Sequence, residues 1–99
     1  MPTLADIKRQ RISGWSGIPI NSNLSTDEME WWMLSQAYGK HDIDYLRFLS
    51  WKEYTGSNLP ATATRSDHEA YAIKQELGIP QNANYSLNDL RYLWYTLAT

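Results

Sequence analysis

Along most of the chain, apolar residues recur three or four positions apart, which is the spacing of a helix that buries one face. Valine does not occur and threonine lies mostly at segment edges, which removes much of the β-branched content that favours strands. The pattern therefore predicts an all-α fold of about five short helices. The helices are expected at about 4–12, 26–38, 42–54, 66–77 and 87–99.

Capping residues and glycines mark where these helices begin and end. A serine or threonine before a helix can accept a hydrogen bond from a free backbone amide, and an acid three residues later can accept one from the cap. The expected caps are Thr3, Ser25, Ser66 and Ser86, the last three followed by Glu28, Glu69 and Asp89. The glycines expected to end helices are Gly14, Gly39, Gly56 and Gly78.

One segment occurs twice, at 17–25 and at 78–86. Both copies read Gly-Ile-Pro-x-Asn-x-Asn-x-Ser, and all matches lie at one spacing of 61 residues, as in an internal repeat. Three residues after the serine, an acid, an apolar residue, a charged residue and an aromatic residue follow in the same order. An Ile-Lys pair precedes each copy, at 7–8 and 73–74, so the first copy is expected to contain extra residues around 14–16. The matching turn residues are Gly17, Pro19, Asn21, Asn23 and Ser25, and Gly78, Pro80, Asn82, Asn84 and Ser86.

Turn chemistry accounts for every position of this motif. The glycine can end one helix in the left-handed conformation, and the proline prevents that helix from continuing. The asparagines suit a turn because they bond nearby amides, and the serine caps the next helix. We therefore favour a helix-to-helix connector over a binding loop. The sequence predicts one domain over 1–99, with copies of a helix-loop-helix unit at about 4–38 and 66–99 and a helix at about 42–55 between them.

Charge and composition argue against several classes of partner. The formal net charge is −2, whereas proteins that bind nucleic acid or anionic membranes normally carry a strong basic excess. No apolar stretch approaches the roughly 20 residues of a spanning helix, and the N-terminus lacks a signal peptide's apolar core. We therefore expect no membrane partner, and a location in the cytoplasm or in a particle assembled there. The absence of cysteine excludes disulfides, thiolate zinc sites and cysteine nucleophiles.

Ionisable residues form two groups that could be considered for metal binding. Both groups lie at predicted helix starts, where acids favour the positive end of the helix dipole, so capping is preferred to metal binding. The groups are His41, Asp42 and Asp44, and Asp67, His68 and Glu69. The only basic cluster is interpreted as a solvated helix face rather than a nucleic-acid arm; it consists of Lys8, Arg9 and Arg11. We expect no catalytic residue, metal or cofactor, and an enzyme is the function that the sequence favours least.

Neighbouring aromatic residues are candidates for a protein interface. Consecutive residues on a helix point about 100° apart, so a small core cannot easily bury both members of such a pair. We expect at least one residue of each pair to face a partner, because Trp and Tyr are frequent interface anchors. The pairs are Trp31 with Trp32, and Trp94 with Tyr95. The first connector is also expected to lie along a neighbouring subunit, and its candidate contacts are Trp15, Ile18 and Ile20.

The second copy continues as Ser-Leu-Asn-Asp-Leu at 86–90, followed by Arg-Tyr-Leu-Trp-Tyr. This segment resembles short helical modules of virion proteins from tailed bacteriophages, often near their C-termini. The first copy departs from that pattern, because 25–29 reads Ser-Thr-Asp-Glu-Met. The resemblance implies a virion structural part, such as a capsid decoration protein, a head fibre or a tail component, with no catalytic residues.

The sequence thus predicts a structural or interaction protein whose partners are other subunits of an assembly, further copies of itself included. Its expected location is the virion after synthesis in the host cytoplasm, and otherwise the cytoplasm. Two alternatives stay open. One is a small intracellular binding module that inhibits a host protein. The other, ranked below it, is a helical nucleic-acid-binding domain that would use the basic residues of the first helix.

Overall fold

The computed structural model describes residues 2–56 and 58–97 of the 99-residue chain. Over these residues it contains five α-helices and no strand, which confirms the predicted all-α class. The predicted extension of the last helix to residue 99 lies outside the described residues beyond position 97. The helices are α1 (Leu4–Ser16), α2 (Thr26–Tyr38), α3 (Ile43–Thr55), α4 (Arg65–Leu77) and α5 (Leu87–Leu97).

The chain divides into two compact units, unit 1 (Met1–Leu46) and unit 2 (Arg47–Thr99). Within unit 1, α1 packs against α2, and within unit 2, α4 packs against α5. The residues of α3 are shared between the two units. Each unit therefore contains one copy of the predicted helix-loop-helix repeat, while a single domain over 1–99 stays a prediction.

Helix α1 continues through Gly14 and ends at Gly17, so the predicted end near Ile12 was wrong. A glycine inside a helix costs only about 1 kcal/mol relative to alanine, and it does not stop a helix by itself. Gly17 has φ 79°, and its N–H donates to the carbonyl of Ser13 at 3.0 Å. This left-handed cap ends α1, as turn chemistry predicts for the first glycine of the motif.

Helix α4 is capped by Thr64 and not by Ser66. The hydroxyl of Thr64 accepts the N–H of Asp67 at 3.2 Å, and the Asp67 carboxylate accepts the N–H of Thr64 at 3.0 Å. The predicted pairing of Ser66 with Glu69 was wrong because the Glu69 carboxylate is buried in an ion pair with Arg91. The cap of α4 therefore lies two residues before the predicted one, and the helix begins at Arg65.

The two copies of the repeat align without a gap. Helices α1 and α4 each have 13 residues. Their caps, Thr3 and Thr64, lie at the same spacing as the two connectors, turn 1 (17–25) and turn 2 (78–86). The extra residues expected around 14–16 in the first copy are therefore not present, and every position of one copy has an equivalent in the other.

The remaining predicted caps are confirmed. In each case the hydroxyl accepts the N–H of the residue three positions on, which satisfies one free amide of the first helical turn. The capping pairs are Thr3 with Asp6 in α1, Ser25 with Glu28 in α2 and Ser86 with Asp89 in α5. Gly39 and Gly56 follow α2 and α3 with φ values of 85° and 61°.

Each unit buries its own apolar residues. Ile12 and Ile73 occupy equivalent positions in α1 and α4, and Met29 and Leu90 do so in α2 and α5. All four are almost completely buried, and burial of such side chains contributes about 1.5–3 kcal/mol each. The buried apolar residues are Ile7, Ile12, Met29 and Leu46 in unit 1, and Ala72, Ile73, Leu90, Trp94 and Tyr95 in unit 2.

Candidate functional site

Turn 1 is bound to α1 by the side chain of Arg9. The guanidinium donates to the carbonyls of Ile20 at 2.8 Å, Ser22 at 3.1 Å and Leu24 at 2.9 Å. It also lies 3.4 Å from the hydroxyl oxygen of Thr26. A turn leaves such carbonyls without helical partners, and the five N–H groups of arginine allow one side chain to satisfy several of them. The shape of turn 1 is therefore fixed through its main chain.

Turn 2 is bound by a different cation from a different position. The ammonium group of Lys74 donates to the carbonyls of Gln81 at 3.0 Å and Ala83 at 2.9 Å. These carbonyls are equivalent to two of the three that bind the guanidinium in turn 1. In α1 the residue equivalent to Lys74 is Ser13, one helical turn from Arg9. The same backbone groups are thus satisfied in both units by side chains that are not equivalent.

A salt bridge joins the two helices of each unit. In unit 1, Nζ of Lys8 lies 3.5 Å from a carboxylate oxygen of Glu30. In unit 2, Arg91 donates to both carboxylate oxygens of Glu69, at 2.8 and 3.0 Å, and these bonds raise the pKa of Arg91. Lys8 is equivalent to Glu69, and Glu30 is equivalent to Arg91. The ion pair therefore occupies the same place in both copies with its charges exchanged.

Ser22 in turn 1 carries a buried hydroxyl oxygen that has no hydrogen-bond partner. Its equivalent in turn 2 is Ala83, which has no hydroxyl. The backbone makes the same bond at both positions, since the N–H of Ser22 donates to Pro19 at 3.0 Å and that of Ala83 donates to Pro80 at 3.0 Å. The turn therefore does not depend on the serine hydroxyl.

Unit 1 contains an open apolar groove of about 400 Å³, the groove of unit 1, between the end of α1, turn 1 and α2. Its lining residues are Ser16, Ile18, Leu24, Trp32, Met33 and Gln36. No lining side chain is ionisable, and the two polar ones are neutral. Such a concave, mostly apolar surface suits an apolar side chain of a partner.

In unit 2, aromatic side chains cover the position that is equivalent to Met33. Met33 of the groove corresponds to Trp94, which is only 6% exposed. The Trp94 ring lies 5.8 Å from the ring of Trp51 and 5.9 Å from that of Tyr54, both in edge-to-face arrangements. In unit 2, aromatic side chains of α3 therefore pack on the position that lines an open groove in unit 1.

Some of the candidate interface residues in unit 1 are exposed, and others are half-buried. Trp15 and Ile20 are exposed, at 44% and 49%, and Trp32 is 42% exposed at the groove. Ile18 is half-buried and lines the same groove. Trp31 is half-buried, and its indole N–H donates to the carbonyl of residue 41 at 2.7 Å. The first aromatic pair thus has one exposed member, and its contact with a partner stays a prediction.

The second aromatic pair differs from the prediction. Trp94 and Tyr95 are both buried, at 6% and 5% exposure, so the expectation that one of them faces outward was wrong. Trp94 is buried because two aromatic rings of α3 pack against it, and this tertiary contact cannot be predicted from α5 alone. Sequence reasoning also passed over other exposed apolar side chains. These are Tyr45, Tyr54, Tyr85, Tyr92 and Leu97.

The first candidate metal group has structural contacts at the start of α3. The Asp42 carboxylate accepts the N–H of Tyr45 at 3.0 Å, which is a capping bond. The ring of His41 lies 4.7 Å from that of Tyr45 in an edge-to-face arrangement. These contacts agree with the capping interpretation of this group.

The three side chains of the second candidate metal group contact different residues. Asp67 completes the capping box of Thr64 at the start of α4, Glu69 pairs with Arg91, and Nδ1 of His68 lies 2.8 Å from the buried hydroxyl of Thr55. Within residues 2–56 and 58–97, no three His, Asp or Glu side chains are grouped so that they could hold a metal ion. Capping therefore accounts for Asp67, while the other two residues join helices inside unit 2.

The basic cluster of α1 is not a solvated face at two of its three positions. Lys8 pairs with Glu30, and Arg9 binds the carbonyls of turn 1. The interpretation of these side chains as solvated was wrong because both cations have partners inside unit 1. Arg11 is half-buried.

Helices in the described part of the chain are too short or too polar to cross a membrane. Comparisons with known proteins gave no significant similarity to any protein-family model, any curated protein or any solved structure.

Proposed function

We propose that this chain is a non-enzymatic structural subunit that binds another protein subunit through the groove of unit 1. The observation that carries this proposal is the open apolar groove itself, with Trp32 42% exposed beside Met33. A large aromatic side chain next to a concave apolar surface is typical of an interface anchor. Binding would remove this apolar area from water, which is the main favourable contribution in protein association.

The occupant that we propose for the groove is a partner helix that carries aromatic side chains. The repeat supports this choice, because in unit 2 two rings of α3 pack on Trp94, the equivalent of Met33. A pair of rings from a partner helix would contact Met33 as Trp51 and Tyr54 contact Trp94. The neutral lining of the groove agrees with an apolar occupant and gives no means of binding a charged one.

The groove alone is too small for a stable interface, which buries about 800 Å² on each partner. We include Trp15 and Ile20 in the contact surface because both are exposed and lie, respectively, one residue from Ser16 and two residues from Ile18 along the chain. The proposed contact surface therefore comprises the groove together with these two side chains. Its polar surroundings come from the exposed asparagines of turn 1.

The assembly that we propose is the particle of a tailed bacteriophage, with other virion proteins or further copies of this chain as partners. This part of the proposal rests on the resemblance of 86–90 to helical modules of phage virion proteins. It places the chain in the virion after synthesis in the host cytoplasm. A capsid decoration protein, a head fibre and a tail component all fit a small helical subunit with one open contact surface.

The first test is mass spectrometry of particles purified from the producing culture, with the copy number of this chain measured against the major capsid protein. Many copies per particle would support the proposal. Complete absence from purified particles would rule out the virion assignment. In that case, a one-to-one complex between the purified chain and a single host protein would favour the inhibitor class instead.

A second test separates the groove from the rest of the surface. Trp32→Ala removes the exposed anchor of the groove, whereas Tyr92→Ala removes a similarly exposed aromatic from α5 in unit 2. If the groove is the contact surface, incorporation into particles should fall at least tenfold for Trp32→Ala and little for Tyr92→Ala. Equal incorporation of both variants, with both chains folded by circular dichroism, would contradict the role of the groove.

A further inference from the structure

The two units place an ion pair of opposite polarity at the same position. In unit 1 the cation is on the first helix, at Lys8, and the anion is on the second, at Glu30. In unit 2 the anion is on the first helix, at Glu69, and the cation is on the second, at Arg91. The carboxylates are nearly inaccessible, with side chains 9% and 3% exposed, whereas the cations are 25% and 27% exposed, so water screens these pairs only in part.

The helix lengths, the caps and the central buried residues are nearly the same in the two copies. The first helices have equal lengths, threonine caps and a buried isoleucine at Ile12 and Ile73. The second helices begin at equivalent serines and bury apolar side chains at Met29 and Leu90. Helices this similar could in principle exchange partners, so that α1 packs on α5 and α4 packs on α2.

The reversed charges oppose that exchange. Packing α1 on α5 in the native register would bring Lys8 against Arg91, and packing α4 on α2 would bring Glu69 against Glu30. Each exchanged pairing would therefore replace an attractive pair with two like charges. This is unfavourable even though Arg65 lies 3.5 Å from Glu69 and the two cations are 25% and 27% exposed. Both native pairings bring opposite charges together.

We infer that the reversed ion pairs act as a pairing code, which directs each first helix to its own second helix during folding and prevents exchange within one chain or between two chains. The code uses buried charge as a specificity device and adds to the apolar contacts that the two copies share. It is independent of any partner that binds the groove of unit 1.

The test removes the code without removing either native ion pair. The double variant Lys8→Glu with Glu30→Arg gives unit 1 the polarity of unit 2, so each native pair stays attractive while both exchanged pairs become attractive as well. We expect at least a tenfold rise in the fraction of molecules that refold slowly or form exchanged dimers, which corresponds to about 1.4 kcal/mol. Stopped-flow refolding and size-exclusion chromatography of the full chain measure these fractions.

The matched control reverses the polarity of both ion pairs relative to the wild type, so that the two units again differ from each other. The quadruple variant adds Glu69→Lys and Arg91→Glu to the double variant, so the two units again differ in polarity. It should refold with the kinetics of the wild type and elute from the size-exclusion column as the wild type does. The inference fails if the double variant refolds like the wild type. It fails equally if the quadruple variant shows the same slow phase and dimers, because the defect would then follow from the substitutions and not from lost discrimination.

Discussion

In unit 1 the connector is bound by the guanidinium of Arg9, and in unit 2 by the ammonium group of Lys74, which stands one helical turn further along its helix. The helix ends of the two units are alike, with a threonine cap, a left-handed glycine and a serine cap at equivalent positions. The ion pairs that join the helices have reversed charges, and the cations that bind the turns differ in size and position.

This difference separates two kinds of constraint on a repeated unit. Backbone groups must be satisfied wherever the turn occurs, so caps and donors to the turn carbonyls are present in both copies. The identity of the donor is not constrained in the same way, because several positions on a helix face reach the same carbonyls. Side chains are therefore free to differ between copies as long as the main chain keeps its partners.

The largest expected effect comes from removing the cation that holds each turn. Arg9→Met should lower the free energy of unfolding by about 3 kcal/mol, because it removes charge-assisted bonds to three carbonyls while methionine keeps the aliphatic packing. Lys74→Met removes two such bonds and should cost about 1–2 kcal/mol. Urea denaturation followed by circular dichroism measures both, with the exposed Lys40→Met as a control for charge removal. Equal losses at Arg9 and Lys74 would show that the number of bonds does not decide the stability of the turn.

A smaller effect is expected at the equivalent positions Ser22 and Ala83. Ser22→Ala removes a buried hydroxyl that has no partner, so the free energy of unfolding should rise by about 1 kcal/mol. The reciprocal change, Ala83→Ser, should lower it by a similar amount, because it places a hydroxyl at the equivalent position of turn 2. Thermal unfolding of the two variants checks the prediction, and stabilisation by both or by neither would contradict the equivalence of the two turns.

Acid should weaken unit 1 before unit 2. The carboxylates of Asp6 and Glu28 in unit 1, and of Asp67 in unit 2, accept the backbone N–H of their capping residues, and these bonds hold each pKa below its ordinary value. A group whose pKa is lowered by folding stabilises the fold above its unfolded pKa, near 4, and this contribution is lost as the pH falls through the folded pKa. Among the residues that the structure describes, unit 1 has two such groups and unit 2 has one.

Residue-resolved hydrogen exchange at decreasing pH measures this difference. We expect amides of α1 and α2 to lose protection at a higher pH than those of α4. The paired substitutions Asp6→Asn and Glu28→Gln should flatten the pH profile of unit 1 below about pH 5 and leave that of unit 2 unchanged. Simultaneous loss of protection in both units would count against separate capping contributions.

Helix ends were predictable where one capping pattern stood alone. Helix α2 begins after Ser25 and ends before Gly39, as the sequence indicates. At α4, two overlapping patterns fit the same rule, beginning at Thr64 and at Ser66. The choice depends on Glu69, whose carboxylate binds a residue of α5, and that contact cannot be seen in the local sequence.

The candidate site was predictable in part. Ile18 and Trp32 were expected at an interface and do line the groove, while Leu24 and Met33 were missed because neither stands out locally. The burial of Trp94 depends on rings from α3, which no pattern within α5 reveals. The reversed ion pairs could have been predicted from the sequence, because residues of opposite charge, such as Lys8 and Glu69, lie one repeat spacing apart. They were missed because extra residues were assumed before turn 1, which aligned Lys8 with Lys74 instead.

Attachment through carbonyl oxygens lets the side chains of the connectors differ between the copies, although the amide of Gln81 also donates to the carbonyl of Tyr71 at 3.1 Å. Positions 20 and 24 carry isoleucine and leucine, whereas their equivalents, 81 and 85, carry glutamine and tyrosine, although the carbonyls at 20 and 81 both accept a hydrogen bond from a cation of the preceding helix. A surface residue here can change in size or polarity while the path of the backbone stays the same. Chains that share this architecture could therefore acquire different binding specificities by substitution within a loop of constant shape.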